Sequence, residues 1–389
     1  MIMERKVKLV FAVDGKVIYD RQGNKYARSF QGLYEKYSYL ADEISFLVRT
    51  EQRDDLITDN YLQEEINIID VPNFKSISTI WNTIKAKRVI ESGIKNADIV
   101  ILRMPGSISN IAIKYVKRYS KPYIIECVGC PWDAYRHHSL LGKIVAPIEY
   151  IKMKNNIRKA SYVTYVTKDF LQKRYPTNGM SSGISDVELL KADAKVLLNR
   201  LDKISCLKDE IILGTAGTVE IPYKGQEYVL RAIAMLKKEG VNRFKYELVG
   251  GGDPTRLKNL ALELGIEDMV VFLGGIPHSD MFSWFDRIDI YIQPSTVEGL
   301  PRSIIEAMSR ACPVVGSRIG GIPELISDKY LFEAGNVQEL KKILLTVSNN
   351  ELDIMAKVNF DKAKEYERDS LEKQRRFFYD MFISNVRGV

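Results

Sequence analysis

Short apolar runs closed by glycine, proline or a small polar residue alternate along this chain with longer segments in which apolar positions recur every three or four residues. Residues 6–13, 44–49, 66–71, 97–102 and 122–127 are runs of the first kind, and 26–40, 77–94 and 107–119 are segments of the second. A continuous apolar run marks a strand buried on both faces, and the longer spacing marks a helix with one face on a core. Their alternation predicts parallel α/β sheets. A further strand over 162–167 and a helix to 175 lead into Pro176-Thr177-Asn178-Gly179-Met180-Ser181-Ser182-Gly183, the densest turn cluster of the chain. The alternation resumes after a charged, partly helical stretch at 186–208. Strands are expected over 211–216, 244–249, 269–273, 288–292, 313–317 and near 330–332, with charged helices from 337 onward. The expected organisation is a first α/β domain over 1–185, a second over 186–368, and a terminal helix over 369–389 that crosses back to the first domain.

The segment 291–326, YIQPSTVEGLPRSIIEAMSRACPVVGSRIGGIPELI, compresses strand, glycine turn, helix, strand and glycine turn into one βαβ unit. Its loops belong at the carboxyl edge of the sheet, where such folds bind ligands. Pro301 suits a first helical position, Gly299 permits close backbone approach, and the free N–H groups of a helix start attract phosphate. Glu298 stands just before that helix and Glu306 about one turn inside it. Carboxylates beside an anion site make sense if they accept from adjacent sugar hydroxyls. The plain alternative is a solvated helix face, because Arg302, Glu306 and Arg310 follow at i, i+4 and i+8.

The E-x7-E spacing of Glu298 and Glu306, set in PS-x-x-EG-x-P and followed by GG-I-P-E, closely resembles the C-terminal domain of retaining glycosyltransferases of family 4. That resemblance implies the GT-B fold, two Rossmann-like domains facing across a cleft. It covers roughly 210–330 sharply, and before 180 only the order of elements agrees. It implies that Glu306 holds the ribose of a nucleotide-sugar donor, that Glu298 approaches the donor sugar, and that Gly299 and Leu300 meet the diphosphate with their amides. The first turn of the second domain, Gly217-Thr218-Val219-Glu220-Ile221-Pro222-Tyr223-Lys224-Gly225, matches the family at Lys224, a diphosphate-neutralising cation. Thr218 stands where the family usually has Arg. Gly250, in the turn Gly250-Gly251-Gly252, and His278, in the turn where the family often contacts the nucleobase, complete the donor-binding set; the duller explanation of that last turn is helix capping by Ser279. In the first domain the family commonly has a histidine in the loop after the strand at 122–127. Here Glu126 and Asp133 are the available polar groups, with His137 and His138 a few residues on. Asp133 or Glu126 is expected to contact substrate sugar, against the equal alternative of a carboxylate capping the next helix. The catalytic set is therefore Glu298, Lys224 and Asp133. No D-x-D metal motif occurs, and neither metal nor cofactor is expected.

Composition adds three constraints. No apolar run is long enough to cross a bilayer, and the N-terminal stretch reads as a strand. The expected location is the cytoplasm, with peripheral contact to the inner face of the membrane. Cys127 and Cys130 form C-x-x-C without a second ligand pair, so two buried or loop thiols are favoured over a metal or redox centre. Net charge is +7, and residues 1–180 hold 29 Lys+Arg against 19 Asp+Glu. The basic half points to an anionic partner. A nucleic-acid role has no reading motif to support it, which leaves an anionic membrane carrying the acceptor. The helical stretch 139–160 has an apolar side (Leu140, Leu141, Ile144, Val145, Ile148, Ile151) and lysines; it is either a membrane-surface helix or a domain helix with a solvated face, and Pro147 is expected to break or kink it.

The function expected from this reading is transfer of a sugar from a UDP- or GDP-sugar to a glycan or lipid-linked glycan in bacterial surface polysaccharide assembly. Two alternatives use the same fold: a nucleotide-sugar binding subunit without activity, which Thr218 favours, and a nucleotide-sugar epimerase. Donor turnover separates the first, and release of free epimerised sugar marks the second.

Overall fold

The computed structural model describes residues 6–27, 30–53, 66–75, 77–136, 140–206 and 210–387. In the first sheet the strands are β1 (Lys8–Tyr19), β2 (Lys25–Tyr26), β3 (Glu43–Gln52), β4 (Asn67–Asp70), β5 (Ile99–Met104), β6 (Tyr123–Cys127), β7 (Tyr162–Tyr165) and β8 (Met180–Gly183). They run in the order β4-β3-β1-β5-β6-β7-β8, with β2 antiparallel on β1 and every other pair parallel. The second sheet comprises β9 (Ile211–Ala216), β10 (Phe244–Val249), β11 (Val270–Gly274), β12 (Ile290–Gln293), β13 (Val314–Ser317) and β14 (Leu331–Phe332), all parallel, in the order β11-β10-β9-β12-β13-β14. Counted from β9, that is the doubly wound 3-2-1-4-5-6 order, and its strand order reverses between β9 and β12.

Helices cover both faces of the first sheet. α1 (Phe30–Tyr37) lies on one face; α2 (Thr83–Asn96), α3 (Ser107–Arg118), α4 (Pro131–Arg136), α5 (Leu140–Arg158) and α6 (Phe170–Arg174) belong to the other. Around the second sheet lie α7 (Ala194–Ser205), α8 (Gln226–Lys238), α9 (Thr255–Glu263), α10 (His278–Arg287), α11 (Arg302–Ser309), α12 (Val337–Thr346) and α13 (Asn349–Ala363). The last helix, α14 (Arg368–Arg387), returns to the first sheet. Its Leu371, Phe378, Tyr379 and Phe382 are buried with Leu9, Phe11, Phe46 and Ile124. The two chain crossings between the sheets lie side by side, with Leu189 N–H donating to Tyr366 C=O and Arg368 N–H to Leu189 C=O.

Most elements follow the hydrophobic pattern, and the departures have local causes. β1 does not end at Asp14-Gly15. Its pairing with β3 shifts register between Ala12 and Lys16, and the strand continues to Tyr19. Asp14, at that irregularity, accepts from the N–H groups of Ser107 and Ile108 and so caps α3. α5 continues through Pro147, which costs it one backbone hydrogen bond without ending it. Pro301 is the residue before α11 and not its first helical residue.

Glu126 is a correction. Period-2 alternation puts Ile125 and Cys127 on the face covered by α3 and α5, and therefore Glu126 on the opposite face, under α1 and α14. There it is buried, accepting from Tyr37 Oη and from Lys36 Nζ (2.9 Å) and Arg103 Nη1 (3.0 Å). Lys36 and Arg103 also hold Asp186, in the first crossing between the sheets. Burial pushes Glu126 above the usual carboxylate range despite the Lys36 charge. Burial acts on Asp186 in the same direction, but the Lys36 and Arg103 charges outweigh it and hold Asp186 below that range. This four-charge cluster ties a domain crossing to the first sheet and does not face the cleft.

Arg200 does similar work in the second domain. Buried on α7, it donates to the carbonyls of Ile288 (2.7 Å), Phe285 (2.6 Å) and Arg310 (3.4 Å), at the carboxyl ends of α10 and α11. A cation there satisfies orphan carbonyls and opposes the negative helix ends. Arg200→Met is expected to cost about 3 kcal/mol, because buried carbonyls lose a charged donor. Urea unfolding would read this as a lower midpoint at unchanged slope; a midpoint equal to wild type would remove the role.

Candidate active cleft

The loops after β9 and β12 flank the point where the second sheet's strand order reverses, and they bring two sequence-predicted residues together there. Lys224 ends a short 3-10 turn, Pro222–Lys224, and Gly225 follows it with φ +75°. A Cβ at Gly225 would lie 2.0 Å from the Pro294 carbonyl, so glycine is required for the two loops to meet. Lys224 Nζ lies 2.7 Å from Glu298 Oε1. That oxygen also accepts from Gln293 Nε2 (3.1 Å) and Ser295 Oγ (2.9 Å), both buried. Gln293 is itself held by Tyr291 Oη (2.7 Å) and Ser303 Oγ (3.0 Å). Glu298 is thus a fixed, ion-paired carboxylate at the cleft wall. Sequence reasoning missed Gln293 and Ser295; the polar Q-x-S just past an apolar strand was the available signal.

The nearby backbone is equally set. Among the described residues no hydrogen bond engages the N–H of Gly299 or Leu300, and α11 starts two residues beyond. Leu300 packs its side chain on the core beneath. The Gly299 carbonyl accepts from Gly321 N–H at 2.6 Å, so the GG turn after β13 buttresses the loop. Gly250, at the end of β10, packs against Gly217: a Cβ there would come within 2.1 Å of the Gly217 carbonyl. The Gly217 and Thr218 carbonyls accept from the Gln226 amide at the start of α8 (3.4 and 3.3 Å).

Glu306 is buried, and its Oε1 lies 3.0 Å from His278 Nε2 at the start of α10. The solvated-face alternative for Glu306 does not hold. Arg310 pairs instead with Asp286, at 2.9 and 2.6 Å. Nor does Ser279 cap α10: its hydroxyl donates to Asp280 Oδ1. Glu306 and His278 form a second polar station on the same sheet edge as the Lys224–Glu298 pair.

A cavity of about 310 Å³ joins the two domains. Tyr223, Lys224, Glu298 and Gly299 line it from the second, and Gly129 and Cys130 of the loop after β6 and Asp133 of α4 from the first. Both oxygens of Asp133 accept from Arg174 (2.9 and 3.2 Å), so this carboxylate borders the cleft already paired. His137 and His138 lie outside the described residues. Cys127 and Cys130 are buried free thiols, raised in pKa by burial, and Cys130 Sγ sits 2.9 Å from Tyr175 Oη. They behave as core residues. A third unforeseen residue is Glu324, in the GG-I-P-E segment. It accepts from the N–H groups of Lys168, Asp169 and Phe170 (2.6, 3.1 and 2.5 Å) and so caps α6 of the other domain, a direct tie between the two domains.

Two parallel α/β domains meeting at carboxyl-edge loops, with a terminal helix returning to the first, define the GT-B architecture. Solved structures agree. A sucrose-phosphate synthase from Thermosynechococcus elongatus superposes with TM-score 0.72 at 15% identity over 97% of this chain and 100% of that one. Anabaena HepE, solved with UDP and glucose, gives 0.65 at 16% identity over 96% and 100%. Among curated proteins, Protein CapJ of Staphylococcus aureus is 33% identical over 288 residues, 72% of this chain and 71% of its own. The amylovoran biosynthesis glycosyltransferase AmsK of Erwinia amylovora is 34% identical over 151 residues, 36% of this chain and 37% of its own. The family model for glycosyl transferases group 1 matches residues 202–366, and the chain belongs to that family.

Proposed function

We propose that this protein transfers a sugar from a nucleoside-diphosphate sugar, UDP- or GDP-linked, to a glycan or lipid-linked glycan acceptor, with retention at the anomeric carbon, in assembly of a bacterial surface polysaccharide. The observation that carries this reading is the Lys224–Glu298 pair at the switch point of the second sheet, opposite the Cys130–Asp133 edge of the first domain. A nucleotide laid along the second sheet's edge would put its ribose hydroxyls on Glu306, with His278 orienting that carboxylate. Its diphosphate would meet the free N–H groups of Gly299 and Leu300, the start of α11 and Lys224. Gly217, Thr218 and Gly250 would form the close backbone floor beneath it. Glu298 would accept from the donor sugar's hydroxyls, and Asp133 would face the acceptor side.

The chemistry follows from where charge develops. As the bond from anomeric carbon to diphosphate oxygen breaks, the sugar gains oxocarbenium character and the diphosphate gains negative charge. Lys224 and the oriented amides stabilise the second, and the Glu298 carboxylate stabilises the first; an acceptor hydroxyl oxygen bonds to the anomeric carbon as the diphosphate departs, and its proton passes to the departing diphosphate oxygen. With a fixed cation supplied by the chain, the reaction needs no metal. AmsK, an amylovoran biosynthesis glycosyltransferase, supports the polysaccharide context, and HepE's UDP and glucose support the donor class. Opening and closing of the two domains would exclude water from the donor.

The test is thermal stabilisation by UDP, GDP, ADP and their sugars without added metal, followed by transfer assays. A ligand near 100 times its dissociation constant stabilises by about 2.7 kcal/mol, a readable shift. One nucleotide is expected to shift the melting temperature well beyond the others. No shift with any of them would overturn the donor site; a shift without turnover, even with acceptor, would favour a binding subunit.

A further inference from the structure

Helix α5 seats itself on the first sheet through Gly142, Ala146, Met153 and Ile157. At 3.6 residues per turn, the side opposite those four carries Ile144, Ile148 and Ile151. They are 68%, 51% and 56% exposed. The side that reads as apolar in the sequence is therefore not the packing side; it faces out. Single exposed aliphatics are ordinary, but three in line along one helix form an unpartnered stripe.

Cations border that stripe on both sides, Lys152 and Lys159 along one edge and Lys143 and Lys154 along the other, all exposed. Along the Lys152 edge, α5 meets α3 across a groove of about 280 Å³ lined by Lys114, Lys117 and Lys152, with the amides of Asn110, Asn155 and Asn156. Of those lysines only Lys152 has a carboxylate partner among the described residues, Glu149 at 2.8 Å. Burial, and then the charge of Lys159, hold the Lys117 ammonium below its ordinary pKa: the lysines gathered here outnumber the one carboxylate beside them, Glu149, which Lys152 and the Asn110 amide (2.8 Å) already hold. The 3-10 turn Ile77–Asn82 leading into α2, in the same helical layer, adds Ile80 and Trp81, 63% and 70% exposed. An aliphatic stripe edged with lysines and an interfacial tryptophan has the composition of a helix lying in a bilayer surface. A nucleic acid would match the lysines but leave the isoleucines without a partner.

We propose that the outer face of the α2–α3–α5 layer docks this protein on an anionic lipid bilayer, with Ile144, Ile148 and Ile151 among the acyl chains and a lipid phosphate seated between Lys114, Lys117 and Lys152. α4, which carries Asp133 at the cleft, precedes α5 in the chain, so docking holds the cleft mouth near the surface. That the bilayer presents the acceptor rests on the transferase reading above; the docking face does not.

Flotation of the full chain with phosphatidylglycerol-containing and pure phosphatidylcholine vesicles tests this. Wild type is expected to float with the first, sensitively to salt, and not with the second. Lys114→Glu with Lys117→Glu is expected to weaken partitioning about tenfold or more. Ile144→Ser/Ile148→Ser/Ile151→Ser is expected to abolish the fraction retained at high salt. These are surface changes, and circular dichroism and the donor-induced melting shift should match wild type. Absence of flotation, or unchanged flotation of the double lysine variant, would overturn the proposal. Full displacement by soluble glycerol phosphate, with the isoleucine variant floating normally, would assign the groove to free phosphate instead; binding of an oligonucleotide in preference to vesicles would assign it to nucleic acid. A donor shift without flotation sinks the docking face alone, and flotation without a donor shift sinks the transferase reading alone.

Discussion

Lys224→Met is expected to lower kcat about 100- to 1,000-fold, with a much smaller change in the donor KM. In the free protein the ammonium lies 2.7 Å from Glu298, whose oxygen is also held by Gln293 and Ser295. In the proposed reaction the same ammonium would serve two anions once a diphosphate binds, and its contribution would grow as negative charge accumulates on the leaving oxygen. Interactions stronger in the transition state than in the ground state appear in kcat. Removing one preorganised donor of this kind costs about 2.7–4 kcal/mol. Methionine keeps the length and apolar stem, so packing against the Gly217 backbone survives. Lys224→Arg should recover part of the rate, because the charge returns with different geometry. Initial rates over a donor series decide it: a kcat within about threefold of wild type would remove Lys224 from the chemistry.

Glu306→Ala is expected to act on binding instead, weakening nucleoside diphosphate affinity about 100- to 1,000-fold. Glu306 is nearly buried beside His278, an environment that fixes the carboxylate direction. Two hydrogen bonds from adjacent ribose hydroxyls to a carboxylate, at about 1.5–2 kcal/mol each, the lower part of the range for such bonds, sum to about the expected loss. Titration calorimetry with the nucleotide that shifts wild type measures it. Glu306→Gln, which keeps shape and one acceptor, should fall between. An Ala variant that binds within a few-fold of wild type would mean that the ribose lies elsewhere. Read together, the two variants separate capture of the nucleotide from departure of the diphosphate: Lys224 should change the turnover and Glu306 the occupancy.

How much of this was legible beforehand differs between the halves of the chain. In the second domain, the spacing of Glu298 and Glu306 within a strand–turn–helix unit placed both carboxylates on one sheet edge, because the period of that unit fixes where its loops emerge. Lys224 could be read as a phosphate cation, but not as the ion-pair partner of Glu298, since the two are 74 residues apart in sequence. Nor could Glu324 be read as the cap of a helix in the other domain. In the first domain, Glu126 and Asp133 looked interchangeable near the same loop. Alternation within β6 turns Glu126 to the far face, and a neighbour on α6 occupies Asp133.

The order of strands and helices, the two-domain division of the sheets and the glycine turns at the sheet edge all follow from local patterns of side-chain period and glycine, so the amino-acid sequence determined them unaided. Long-range pairing was decided only on folding. Which face of α5 meets the core is the clearest instance. Its isoleucine side and its Gly142–Ala146–Met153–Ile157 side are both apolar, and local pattern offers no way to choose between them. The tertiary structure chose the side with the smaller residues at its start, Gly142 and Ala146, and left the bulkier aliphatic side, edged with lysines, to face whatever lies outside.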